Sequence, residues 1–318
     1  MGKYLDPKAD LTFKKIFGEH KHLVISLLNA MLPLKEDERV ESIEYWPAEK
    51  VPDRMQAEKD SIVDVCCKDN KKREFIVEMQ MTWTDSFKKR VLLNASKAYV
   101  AQSKKGDDYE LLQPVYALNF VNAVFDHETQ DFYHHYQLVH EKYTERVIDG
   151  LQLVFIELPK FQPQTIAEKK MQVLWLRFLT EINDETREVP AELLENADVN
   201  EALEIVERAA FSDAEMRAYD KFWDGVSVQV TLENARKREL NAYLRKLEET
   251  ETKLGETETR LGETETRLEE TETKLGEAET RLKQKDIETA RKLKAMNVMT
   301  VEQIAEITGL SNEEIERL

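Results

Sequence analysis

Asp64 and the triplet Glu78-Met-Gln80 are the residues whose type and spacing best suit chemistry in this chain of 318 residues. They lie in two apolar runs, Ser61–Cys67 and Phe75–Met81, joined by the polar Lys68-Asp-Asn-Lys-Lys-Arg73, which is the signature of a β-hairpin. Residues two apart in a strand share a face, so Glu78 and Gln80 point one way and Val77, Met79 and Met81 the other. Asp64 sits likewise opposite Val63, Val65 and Cys67. With Asp69–Arg73 as the loop, Asp64 falls directly across from Glu78, with Cβ atoms about 5 Å apart. Two facing carboxylates repel unless a cation or proton lies between them. A divalent metal resolves this, because Mg²⁺ takes carboxylate oxygens together with waters and a phosphate oxygen. The same residues also fit an ordinary solvent-facing hairpin with its charges alternating outward.

The elements that position this hairpin are legible on both sides of it. Leu11–Gly18 and Leu23–Leu32 carry apolar residues at helical spacing and end at Pro33, predicting one or two helices. Ser42–Trp46 predicts a short strand before Pro47 and Pro52, residues 85–104 a helix, and Val115–Val121 and Leu151–Leu158 two further strands. The order helix, three strands, helix, strand is an α/β arrangement around a mixed sheet. Helices are predicted at Gln172–Glu181, Ala191–Asn196, Asn200–Ala209 and Asp213–Trp223. The segment with His127, His134, His135 and His140 reads as a polar excursion between two strands, and Cys66 and Cys67 as strand filler.

From Leu240 a repeat of seven takes over, with leucine at 240, 247, 254, 261, 268, 275 and 282. Leucine at a places Thr250, Thr257, Thr264, Thr271 and Ala278 at d, and oppositely charged residues at g and e. This predicts a thin parallel coiled coil and hence a homo-oligomer, the other reading being a single solvated helix held by charge pairs. Thr300–Gln303 and Ser311–Glu314 are capping boxes separated by a turn at Thr308-Gly-Leu310. The second of these helices carries three glutamates and one arginine, which favours a packing or oligomerisation cap over DNA reading. Four segments are therefore expected: an α/β domain over 1–160, a helical domain over 161–239, a coiled coil over 240–286 and a helical hairpin over 287–318.

The net charge is −17, unevenly spread. Residues 1–160 hold 23 basic and 27 acidic side chains, a net of −4, so the acidity that would oppose nucleic-acid binding lies mostly in the second half. Two adjacent cysteines cannot form a disulfide framework or a four-ligand zinc site, and no apolar run reaches membrane-spanning length. A cytoplasmic protein with no membrane partner is expected.

Residues 1–160 resemble the PD-(D/E)XK nuclease superfamily, and more narrowly the Rpn family of recombination-promoting nucleases. The residues that carry this are Asp10–Gly18, Leu27–Leu32, Asp64, Ile76–Gln80, Lys89-Arg90, Tyr99, Gln102, Gly106–Tyr109 and Pro114, with Ala305–Ile315 in the tail. The resemblance implies a restriction-endonuclease-like core and metal-dependent hydrolysis of DNA in recombination, mobile-element or anti-phage settings. By this resemblance Asp64 and Glu78 bind Mg²⁺, with Mn²⁺ as a substitute, and Gln80 stands where the superfamily more often has lysine. Glutamine offers neither a cation nor a base, so it would orient water or phosphate by hydrogen bonds. Asp10 matches a family position as a further ligand or a supporting group, and reads equally well as a first-turn helix acid. Lys88, Lys89 and Arg90 are candidates for holding the DNA backbone, while Lys97, Lys104 and Lys105 read as a solvated face. Tyr99 and Gln102 either flank the site or pack against the sheet. The reading of another class is a catalytically silent DNA-binding or assembly module, and a strand-joining transposase would call for a separate acidic triad.

Overall fold

The computed structural model describes residues 3–46, 64–103, 106, 108–163 and 170–318. The chain divides into two compact units, residues 1–234 and 235–318.

The first unit is built on a mixed six-stranded sheet in the order β1-β2-β3-β4-β6-β5. Its strands are β1 Ile43–Tyr45, β2 Val65–Asp69, β3 Glu74–Gln80, β4 Val115–Val121, β5 Tyr133–Val139 and β6 Val147–Glu157. β3, β4 and β6 run parallel to their neighbours among themselves, and the outer pairings are antiparallel. The β2–β3 hairpin has the expected register: Val65 faces Val77, Cys66 faces Ile76 and Cys67 faces Phe75. Its turn is held by a buried ion pair, Asp69 to Arg73 at 2.7 Å, and Asp69 Oδ1 also accepts the backbone N–H groups of Lys71 and Arg73.

Each face of the sheet is covered by helices. Val65, Cys67, Phe75 and Val77 bury against α1 (Asp10–Phe17), α2 (Lys21–Met31) and the later helices α4 (Lys170–Glu181), α5 (Ala191–Leu194) and α6 (Ala197–Ile205). The helices of 170–206 thus share one core with the sheet. Ile76, Ala117, Val121 and Phe155 bury against α3, Asp85–Ala101, through Phe87, Val91, Ala95 and Ala98. α1 is fixed by a buried Asp6–Lys8 pair at 2.9 Å, and Tyr219 accepts the Asp6 N–H and donates to Asp184. Gly18 closes α1 because a Cβ there would meet the Lys14 carbonyl oxygen at 2.6 Å.

β5 corrects the sequence reading of the histidine-bearing segment as a polar excursion. Among the described residues it is an edge strand paired only with β6, half-buried to exposed along its length, with an irregularity between Gln137 and Leu138. One-sided burial leaves a weak hydrophobic signal, so the strand does not announce itself. Residues 47–63, including Pro47, Pro52 and the start of the run at Ser61, together with Lys104, Lys105 and Asp107, lie outside the described residues. No helix among the described residues is long and apolar enough to cross a membrane.

The second unit contains most of α7, an 84-residue helix running Asp213–Met296. The heptad leucines are 44–63% exposed, and the d threonines donate to the carbonyl four residues back, as Thr250 does to Lys246 at 2.7 Å. Two short helices follow, α8 (Val301–Thr308) and α9 (Asn312–Glu316), and both expected capping boxes are present. Gly309 makes the turn between them at φ +70°, and Ile304, Leu310 and Ile315 pack on Ile287, Ala290 and Leu293 of α7.

Gly255, Gly262 and Gly276 lie within α7 with open space where a Cβ would stand. Replacing all three with alanine should raise helix stability by up to about 1 kcal/mol per site. A melt followed by helical circular dichroism checks this, and an unchanged or lower midpoint would contradict it.

Candidate functional site: a carboxylate pair between hairpin and helix

Glu78 lies near the end of β3 on the face covered by α3, 6% exposed. Its Oε1 accepts from Asn94 Nδ2 at 3.3 Å, and its Oε2 is 3.9 Å from the Arg90 guanidinium. Arg90 donates to Gln80 Oε1 at 2.7 Å. Arg90 and Asn94 are four apart on α3, so one helix face serves the whole E-x-Q triplet.

Asp64 precedes β2, and the hairpin register carries it to the Glu78 end of β3, where its Oδ2 accepts the Met79 N–H at 2.7 Å. Its Oδ1 is 3.8 Å from Lys14 Nζ, and Lys14 is 2.6 Å from Asp10 Oδ1. Asp10 is the first residue of α1, a first-turn acid that meets the site through Lys14. Lys14 and Asn94 are the site residues that sequence reasoning missed. Lys14 could have been found as the i+4 partner of Asp10, and Asn94 as the one amide on the apolar stripe of α3.

Burial pushes the Asp64 carboxyl up to about 8, and the charges of Asp10 and Glu78 add to this, while the Met79 N–H and Lys14 work against it. Burial likewise raises Glu78, opposed by Arg90 and Asn94. Desolvated carboxylates, one of them further raised by the charge of the other, are hard oxygen donors. That donor set fits a divalent cation of the Mg²⁺ type, which binds through one or two carboxylates and keeps its waters. Among the described residues no group of three His, Cys, Asp or Glu side chains is arranged to hold a metal.

The other residues singled out are dispersed. Lys89 is exposed on α3 and Lys97 half-buried, while Lys88 sits over aromatic rings beside β5. Tyr99 packs against Gly150. Gln102 bonds both the N–H and the carbonyl of Gln113 at the start of β4, next to Glu74 and about 13 Å along β3 from Glu78. His134, His135 and His140 each have separate partners, in Glu157, Gln152 and the N–H groups of Lys142 and Tyr143. Cys66 and Cys67 bury into opposite faces of the sheet, Cys66 toward α3 and Cys67 toward α1 and α2.

The raised Asp64 value has a definite consequence for stability. The folded state holds a proton that the unfolded chain releases, so stability contributed by neutral Asp64 is full at low pH and is lost as pH rises from the ordinary 3.8 through about 8. Asp64→Asn should therefore stabilise the metal-free protein at the alkaline end of that window and little at the acid end. Melting curves across the window test it, and an equal loss of stability at every pH would overturn it.

No curated protein and no solved structure matches the chain. The description PD-(D/E)XK nuclease family transposase matches residues 7–224, which span the sheet, the carboxylate pair and the helices that cover both faces. The chain belongs to the PD-(D/E)XK nuclease family transposases.

Proposed function

We propose that the protein is a divalent-metal-dependent DNA endonuclease that hydrolyses phosphodiester bonds. The observation that carries this is the buried Asp64–Glu78 pair, short of positive charge and set in a chain of a nuclease family. Mg²⁺ is the cation proposed, with Mn²⁺ as a substitute. When bound it polarises a phosphate oxygen and lowers the pKa of a coordinated water.

This chain's own residues supply the rest. Asp64 and Glu78 would hold the cation, and Asn94 and the Met79 N–H fix the orientation of their carboxylates. Gln80 carries no charge where a lysine is more usual, and two cations stand nearby instead. Arg90, bonded to Gln80, is placed to hold the scissile phosphate, and Lys14 to balance charge beside Asp64, with Asp10 orienting it. Lys89 and Lys88 extend this basic start of α3 toward the DNA backbone.

The heptad leucines of α7 are exposed along one seam, and attractive g-to-e pairs would form only with a second parallel helix. We assign residues 240–286 to a parallel coiled coil between copies of this chain, which would bring two sites to the two strands of a duplex. A second reading, a silent DNA-binding or assembly module, is favoured by the engagement of Gln80 Oε1 with Arg90.

Plasmid nicking at low salt separates the two. Supercoiled DNA should be converted in Mg²⁺ or Mn²⁺, not in EDTA, and Glu78→Gln should abolish conversion. Lys14→Met should slow cleavage by about tenfold or more while DNA binding is retained. Metal-independent cleavage, or none with DNA still bound, would refute the endonuclease.

A further inference from the structure

Beyond the carboxylates, the same face of the sheet carries a cluster of aromatic rings around Lys88. Trp83 and Phe125 are stacked with centroids 4.2 Å apart and planes 19° apart. Lys88 Nζ lies 5.5 Å from the Trp83 ring, 4.6 Å from Phe125 and 5.4 Å from Tyr136, and 3.3 Å from the Tyr136 hydroxyl. Its ammonium faces three rings and a phenol hydroxyl. Tyr136 is 42% exposed on the edge strand β5, and Trp83 and Phe125 are half-buried.

The cluster is continuous with the carboxylate site. Trp83 follows Gln80 by three residues and makes an edge contact with Phe87 at 5.7 Å, and the Arg90 guanidinium lies 4.9 Å from the Phe87 ring while bonding Gln80. Trp83 and Phe125 follow the carboxyl ends of the parallel strands β3 and β4, the side of such a sheet where ligands bind. Trp83 and Phe125 pack against the buried core that holds Phe87 and Phe155, and Tyr136 is the ring the cluster exposes.

We propose that this rim binds an unpaired stretch of the DNA substrate, one base lying against Tyr136 and the neighbouring phosphate drawn to Lys88. Aromatic faces recognise nucleobases by stacking, and only unpaired bases have a face to offer. A lysine beside the rings supplies the backbone charge contact, in a chain whose net charge otherwise repels DNA. The substrate class that follows is single-stranded, flapped or frayed DNA, cleaved beside the unpaired segment. This rests on the endonuclease reading for its chemistry, though the binding itself needs no metal.

The test is fluorescence anisotropy in EDTA with the full chain and two labelled probes, an oligothymidine and a hairpin duplex of the same length. The wild type should prefer the single strand. Tyr136→Ala should weaken that binding by about tenfold and leave the duplex constant unchanged, while Tyr136→Phe, which keeps the ring, restores it. Circular dichroism confirms that both variants fold. Equal affinity for the two probes, or a Tyr136→Ala variant that binds oligothymidine as the wild type does, would overturn the proposal. Because no cleavage is read, single-strand binding that depends on Tyr136 alongside a failed nicking assay would sink only the endonuclease reading.

Discussion

A buried ion pair at the tip of one hairpin fixes the geometry on which the rest depends. Asp69 and Arg73 meet at 2.7 Å with side chains 0% and 6% exposed, and Arg73 also donates to the Glu38 carbonyl at 2.6 Å. Asp69 takes two turn N–H groups as well, so the tip has a single way to close. Removing one member of such a pair typically costs about 3–5 kcal/mol, because the other is left buried and unpaired. Register is the more important product. A slip of one residue would turn Glu78 from the α3 side to the face covered by α1 and α2, and would carry Asp64 away from the Met79 N–H.

With the register set, the site is a problem in charge balance. The hairpin and α3 exclude water from two carboxylates, which raises the energy of their ionised forms. Lys14 and Arg90 stand at 3.8 and 3.9 Å, beyond direct hydrogen bonds, so each offsets only part of that cost. Such a site takes up protons readily, and the proposed cation would offset the same cost. Gln80 adds no charge of its own, and among the described residues Arg90 is the cation bonded to it.

Much of this was legible in the sequence for identifiable reasons. Alternation along Ser61–Cys67 and Phe75–Met81 and the length of the link between them were enough to set Asp64 across from Glu78. The capping boxes at Thr300 and Ser311 are local hydrogen-bond patterns and need no tertiary context. Lys14 was missed because its role depends on where α1 lies against the sheet, which no local pattern records. β5 was missed because an edge strand with one neighbour carries half the hydrophobic signal of a central one. For the same reason Tyr136 gave no hint in the sequence of the aromatic company it keeps with Lys88.

Anomalous diffraction from crystals grown with Mn²⁺ tests most directly the proposal that Asp64 and Glu78 form a divalent-cation site. A peak between the two carboxylates, with oxygens within about 2.5 Å, is the expected result. An ordered hairpin and α3 with no peak between Asp64 and Glu78, at a Mn²⁺ concentration that fills other sites, would contradict it.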